Sequence, residues 1–324
     1  MKQRTAIVLL LSALSMQGCA SSPAPPLRSA GPAPQVQASC QRQAIAVLPV
    51  RFDLDGHTPV IEVMIDGYRV GMGIDTGSEK SWISPEAADR LDLPTSGKKH
   101  GRTIGVAGQS ISDIYLVRSL VVAGQEFKDI RLTGATTLMS TVRHDRRDLD
   151  YAGMIGADLI SHFDLDYDPA NKKIAFYLPA DCRASGPPWS GAFATLSVNR
   201  DGDDLLRFPV EIAGHRFEGF LDTGAGVSAL KSSAAERVGL TPDILQKERS
   251  GTASGVGMGQ KEYHAHLFSD VKIGGVAVRE FHTVIGDFNL AADLSLGYSF
   301  LRTKRVFISY STETLYLLAQ PPSS

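Results

Sequence analysis

The sequence predicts an all-β chain of two sibling domains, and three observations predict it. Ile74-Asp75-Thr76-Gly77-Ser78 recurs 147 residues further on as Leu221-Asp222-Thr223-Gly224-Ala225. Sliding the chain by that offset superimposes 60–93 on 207–240 without a gap, with Val63/Val210, Ile65/Ile212, Gly67/Gly214, Arg69/Arg216, Ser81/Ser228, Ala87/Ala234 and Leu93/Leu240 identical, the mark of an internal duplication. Both copies then run through short apolar segments separated by Gly, Asp and Asn turn signals, which is strand-and-hairpin punctuation rather than helical periodicity.

Taken in order, Ala44 to Phe52 is an apolar strand able to pair with a chain end elsewhere, and Asp55-Gly56 marks a turn. Val60 to Ile65 and Tyr68 to Ile74 flank Asp66-Gly67, the strongest short hairpin signal, and Phe208 to Ile212 with Arg216 to Leu221 flank Gly214 likewise. Ser84, Pro85 and Glu86 read as cap, first position and first-turn acid of a short helix, matched by 232–238. Each Asp-Thr-Gly therefore lies on a strand-to-loop turn. Glycine-rich tips follow at Gly105-Val106-Ala107-Gly108 and Gly255-Val256-Gly257, each ahead of strand-like sequence. Further hairpins centre on Ala123-Gly124 and Gly274-Gly275. The halves diverge at the charged segment 143–150, read as a solvated surface insertion. They rejoin at Ile155-Gly156 and Leu296-Gly297, each before a short helix, and each half closes on a strand, 173–178 and 314–318.

At 324 residues the chain has room for two ordinary domains, assigned to 44–180 and 204–320 with a Gly/Pro-bearing linker over 181–203. Its 33 basic and 35 acidic side chains give no reason to expect a nucleic-acid partner. Lys2 and Arg4 precede an apolar run from Thr5 to Met16, so 1–19 reads as an export signal rather than a membrane span, which needs about 20 apolar residues. Gly18-Cys19 resembles a bacterial lipobox, making Cys19 a lipidation candidate, with plain cleavage after Ala20 as the alternative. The Pro/Ala/Ser-rich stretch 20–43 then serves as a tether. These features predict an exported, periplasmic protein held to the outer membrane by a lipid anchor. Cys40 and Cys182 flank the first repeat and are candidates for a disulfide in an oxidising compartment.

An Asp at the end of an apolar strand, followed by Thr-Gly, presents a carboxylate at a rigid turn with backbone amides nearby. Two such turns in duplicated domains can meet across a pseudo-twofold axis and set Asp75 beside Asp222. Like charges at close range cannot both ionise, so the pair shares a proton: one carboxylate acts as base on water, the other as acid toward a carbonyl. That is hydrolytic chemistry without cofactor, metal or covalent intermediate. Ser78 can donate a hydrogen bond where Ala225 cannot, which predicts Asp75 as the ionised member, held by the Ser78 hydroxyl.

On Asp75-Thr76-Gly77-Ser78, Asp222-Thr223-Gly224-Ala225, the two apolar-Gly elements and the run Phe163-Asp164-Leu165-Asp166-Tyr167-Asp168, the chain resembles the retropepsin-like aspartic proteases. The resemblance implies two duplicated retropepsin-like β-barrel domains with short helices in a pseudo-twofold, bilobal acid-protease architecture. It implies Asp75 and Asp222 as a catalytic dyad, Thr76 and Thr223 as hydrogen-bonding partners across the axis, and the two glycine-rich tips as flaps over an extended peptide. Neither tip carries the tyrosine of pepsin flaps. Retropepsins form the dyad by homodimerising; a chain holding both halves is expected to work as a monomer on a protein or peptide substrate. The rival expectation is a non-catalytic peptide-binding lipoprotein of the same fold. His264-Ala265-His266 lacks the companion residues of a metal site, Ser228-Ala229-Leu230-Lys231 lacks the partners of a Ser-x-x-Lys hydrolase, and Trp82 and Trp189 read as packing residues.

Overall fold

A computed structural model describes residues 42–52, 55–106, 108–135, 150–179, 186–256 and 259–318. Cys19, Cys40, Cys182, Ala107, Gly257, the export signal and nearly all of the tether and charged insertion lie outside the described residues. Among those described, no helix is long and apolar enough to cross a membrane.

The chain is mostly strand, arranged as one sheet per half and a third sheet shared by both. The first half's seven strands run Val60–Ile65, Tyr68–Ile74, Tyr151–Ile155, Trp82–Ile83, Gln125–Gly134, Gly108–Val122, Thr95–Gly105, and Val60–Ile65 also pairs with Gly108–Val122, which curls the sheet back on itself. The second half repeats this plan in a ten-stranded sheet. Its centre keeps the parallel pairing of His215–Leu221 with Leu294–Leu296, the counterpart of Tyr68–Ile74 with Tyr151–Ile155. Alternate residues of the opening strands point inward, so Ile61, Val63 and Ile65 in one half and Phe208, Val210 and Ile212 in the other are buried in the main core. Asp66 and Gly67 both take left-handed φ (47° and 89°), as do Ala213 and Gly214 (48° and 76°). That is the two-residue turn whose twist matches the flanking strands.

The shared sheet joins the halves. Its order is Ala44–Pro49, Lys173–Tyr177, Asp164–Asp168 from the first half, then Val306–Ser309, Thr314–Leu318, Phe193–Ser197 from the second. The seam is antiparallel, with Tyr167 opposite Val306 and Leu165 opposite Ile308. The run Phe163 to Asp168 thus has a structural task. Buried Asp164 holds Arg42 and accepts from Ser309 Oγ at 3.0 Å and Ser311 N at 2.9 Å, while Asp166 takes a two-pronged contact from Arg305 at 2.9 and 2.6 Å. Buried charges persist only when paired in this way, and removing one partner leaves the other stranded.

Two boundaries differ from the sequence reading. The expected linker 181–203 contains the strands Phe193–Ser197 and Asn199–Arg200, the former pairing with Thr314–Leu318 as Ala44–Pro49 pairs with Lys173–Tyr177. The prolines and glycines just before it masked a second copy of the opening strand. The tether also ends earlier than residue 43, because Arg42 is already locked to Asp164, to the Gly186 carbonyl and over the Phe307 ring. The helix Pro85–Arg90 begins as its sequence dictates, with Ser84 Oγ accepting the Ala87 amide at 3.1 Å and Pro85 at its start. Its sibling Ser232–Arg237 has no side-chain cap, and a further short helix, Pro242–Leu245, was not foreseen.

Candidate active site

Each motif is delivered by a strand hydrogen-bonded to the apolar-Gly element of its own half. The Asp75 amide donates to the Ile155 carbonyl at 3.0 Å and the Asp222 amide to the Leu296 carbonyl at 3.1 Å. Behind each turn a serine fixes that element: Ser81 Oγ accepts the Gly156 amide at 2.9 Å and Ser228 Oγ the Gly297 amide at 3.1 Å. Ser81 further donates to Asp158 Oδ1 at 2.7 Å, whereas Ser299 takes the corresponding place in the second half by accepting the Ser228 amide. These supports were missed from sequence, although Ser81 and Ser228 stood among the repeat matches. Ser228 is fully buried in this supporting role.

The turns then interlock. Thr76 N donates to Thr223 Oγ1 and Thr223 N to Thr76 Oγ1, each at 3.1 Å, while the two hydroxyls donate onward to Leu221 and Ile74 carbonyls at 3.0 and 2.7 Å. Both threonines are buried, and all four groups are satisfied by the opposite half. The motif glycines have an equally exact reason. A Cβ on Gly77 would stand 2.5 Å from Asp222 Cγ, and one on Gly224 would stand 2.4 Å from Asp75 Cγ. Each glycine is therefore the space into which the other half's carboxyl fits, and the two carboxyls lie close enough to shift one another's acidity.

Both acids are raised above the ordinary carboxylate range, chiefly because the surrounding protein strips their water. Asp75 is pushed up to about 6, its rise checked by the amides of Gly77, Ser78 and Gly224 and by Asp222. Asp222 stands well above its usual value, since it carries the charge of Asp75 as a second burden and leans on the amides of Ala225 and Gly224. Asp75 is thus the less raised of the two acids. The Ser78 hydroxyl donates to the Lys80 carbonyl at 2.9 Å rather than to Asp75, so the support expected from it is absent.

The glycine-rich tips also meet. Thr95–Gly105 and Gly108–Val122 form a long hairpin closing at Gly105 opposite Gly108, and Ser250–Ala253 pairs with Lys261–Phe268 to form the second. A Cβ at Gly105 would lie 2.7 Å from Val256 Cβ, and one at Gly255 would lie 2.8 Å from Val106 Cγ1. The tips cross, and each valine packs in the opposite half. Val256 packs against a cluster formed by Val60, Trp82, Ala135, Tyr151 and Met154, while Val106 packs against one formed by Ala229, Val284 and Phe288. Trp82 pairs with Met154 next to Ile155, and Ala229 with Ser295 next to Leu296, so each pocket adjoins the support of its own Asp. The glycine beyond the second motif, Gly226, faces a cross-half neighbour too: a Cβ there would meet the His57 ring at 2.9 Å, a ring braced by Asp55. Trp82 is buried and Trp189 packs against the cluster of Ala175, Tyr177, Phe307 and Tyr316, as expected of packing residues, and Trp189 also donates to Asp166 in the shared sheet. His266 Nδ1 lies 2.6 Å from Glu248 Oε1.

The family model "Aspartyl protease" matches residues 61–159, and "gag-polyprotein putative aspartyl protease" matches 208–303. DNA damage-inducible protein 1 of Kluyveromyces lactis is 32% identical over 111 residues, covering 34% of this chain and 26% of that protein. UBA domain-containing protein Mud1 of Schizosaccharomyces pombe is 34% identical over 111 residues, 34% of this chain and 32% of that protein. The chain thus spans only 26% and 32% of the length of these relatives. Among solved structures, the aspartic proteinase from Irpex lacteus aligns at a TM-score of 0.48 and 14% identity over 85% of this chain and 97% of its own. The retropepsin-like aspartic protease from Rickettsia conorii aligns at 0.32 and 20% over 40% and 94%. With a matching family model in each half, meeting at a doubled Asp-Thr-Gly floor, the chain is a pepsin/retropepsin-like protein.

Proposed function

We propose that the chain is an aspartic endopeptidase that hydrolyses peptide bonds with Asp75 and Asp222 as its dyad. The observation that carries the proposal is the reciprocal fit of each carboxyl against the other half's motif glycine, with Asp75 the stronger acid of the pair. In this reading ionised Asp75 takes a proton from water as its oxygen attacks the scissile carbonyl carbon, and protonated Asp222 gives its proton to the carbonyl oxygen. As the tetrahedral diol collapses, one diol hydroxyl returns a proton to Asp222, Asp75 passes its proton to the leaving nitrogen, and the C–N bond breaks. Both carboxyls end as they began. Peptide enters when the crossed tips part and withdraw Val106 and Val256 from the side pockets.

Both catalytic halves lie in one chain, which supports action as a monomer. The N-terminal sequence supports export and attachment to the outer membrane through lipid on Cys19, and hence substrates among envelope proteins. The test is digestion of a peptide library by wild type, Asp75→Asn and Asp222→Asn. Cleavage by wild type that is lost in both variants supports the proposal; no cleavage by wild type across acid to neutral pH refutes it. Labelling of growing cells with radioactive palmitate, with and without Cys19→Ser, tests the anchor: loss of label in the variant supports it, and an unlabelled wild type refutes it.

A further inference from the structure

The two side pockets differ in chemistry. Tyr151 stands in the first-half cluster that Val256 packs against, its ring edge-to-face with Trp82 at 6.4 Å and 76°. The residue is 7% exposed, yet its hydroxyl has no hydrogen-bond partner among the described residues. A buried hydroxyl left unpaired costs stability and is uncommon in folded proteins. At a site that a peptide side chain can enter, such a group is open to a partner brought by the ligand. The register places it there: Tyr151 pairs with Gly71 and Gly153 with Met72, so Ala152 is an extra, bulged residue, and bulges re-aim side chains next to working sites. In the second half the position of Trp82 is taken by Ala229, and the pocket beside it is lined by Val284 and Phe288.

We propose that Tyr151 determines specificity: when a peptide displaces Val256, the Tyr151 hydroxyl donates a hydrogen bond to the amide carbonyl of a glutamine-like substrate side chain in the first-half pocket. The inference rests on the peptidase reading above. A neutral acceptor is favoured for two reasons. Burial, with the carboxylates of Asp75 and Asp55 adding to it, keeps the phenol protonated and so a donor. The same two acids oppose an anionic side chain. A pocket built to hydrogen-bond discriminates against an isostere that cannot, because its buried polar group is again left unpaired.

The test uses fluorogenic peptides identical except for Gln or its near-isostere Met at one position, on either side of the scissile bond. Wild type should cleave one Gln peptide about tenfold better, in kcat/KM, than its Met counterpart, the scale of one hydrogen bond to an otherwise orphaned group. Tyr151→Phe, which removes a single oxygen, should bring that ratio close to one. Ser295→Ala serves as control, since the Ser295 hydroxyl is also buried without a partner but lies opposite Ala229 in the other half; the ratio should persist. A wild type indifferent to Gln against Met, or a preference that survives Tyr151→Phe or vanishes with Ser295→Ala, overturns the inference alone. Cleavage of neither peptide by wild type removes the peptidase reading and this inference with it.

Discussion

The halves of the molecule agree at the motif turns and the glycine-rich tips, where one touches the other about the axis, and part company where each lines its own pocket. Thr76 and Thr223, Gly77 and Gly224, Gly105 and Gly255 are paired identities whose contacts cross from half to half. Trp82 against Ala229, and Met154 against Ser295, occupy equal places in the register and have diverged fully. Even the divergence is compensated. Met154 lies over Gly73, where a Cβ would meet its sulfur at 2.7 Å, while the small Ser295 pairs with bulky Phe220. Packing density holds the combined volume of such neighbours nearly constant without fixing which partner is large. Close contact at the axis allows no such exchange, because both partners are constrained by a single geometry.

The largest effect should come from breaking that axis. Gly77→Ala or Gly224→Ala drives a methyl into the opposite carboxyl, and a displacement of about 1 Å at reacting groups costs about a hundredfold in rate. Peptide cleavage by either variant should therefore fall at least that far, with equal loss from both; a marked difference between them would show that the axis is less symmetric than its contacts. Smaller effects are expected at the tips. Gly105→Ala or Gly255→Ala crowds the opposing valine and should loosen the closed state, changing KM by about three- to tenfold, the scale of about 1 kcal/mol, with the folded core intact. Measured melting temperatures should stay near wild type. A collapse of stability would instead make the tips part of the core.

Much of this was legible before the fold was known, because the duplication reports its own axis. The spacing between the two motifs equals the sequence separation of the threonines that bond across it. Turn positions were readable from Asp66-Gly67 and Gly214, where a positive φ favours glycine. The strand Phe193–Ser197 was not, since its five residues gain their order from pairing with Thr314–Leu318, a partner remote in sequence. The direction of the Ser78 hydroxyl was equally hidden, as a carbonyl two residues away competes with the carboxylate it follows. Crossing of the tips, and with it the exposure of Tyr151 to whatever replaces Val256, depends on contacts between elements about 150 residues apart that no local pattern records.

The central claim is that Asp75 and Asp222 share one site and one proton. Carbon-13 NMR of aspartate-labelled protein, assigned with Asp75→Asn and Asp222→Asn, reads it directly. The pair should titrate in two steps, one near pH 6 and one well above it, so that the singly protonated form fills the interval and peptide cleavage declines as pH drops below about 6. Two independent titrations near the ordinary aspartate value of about 4 would contradict the account.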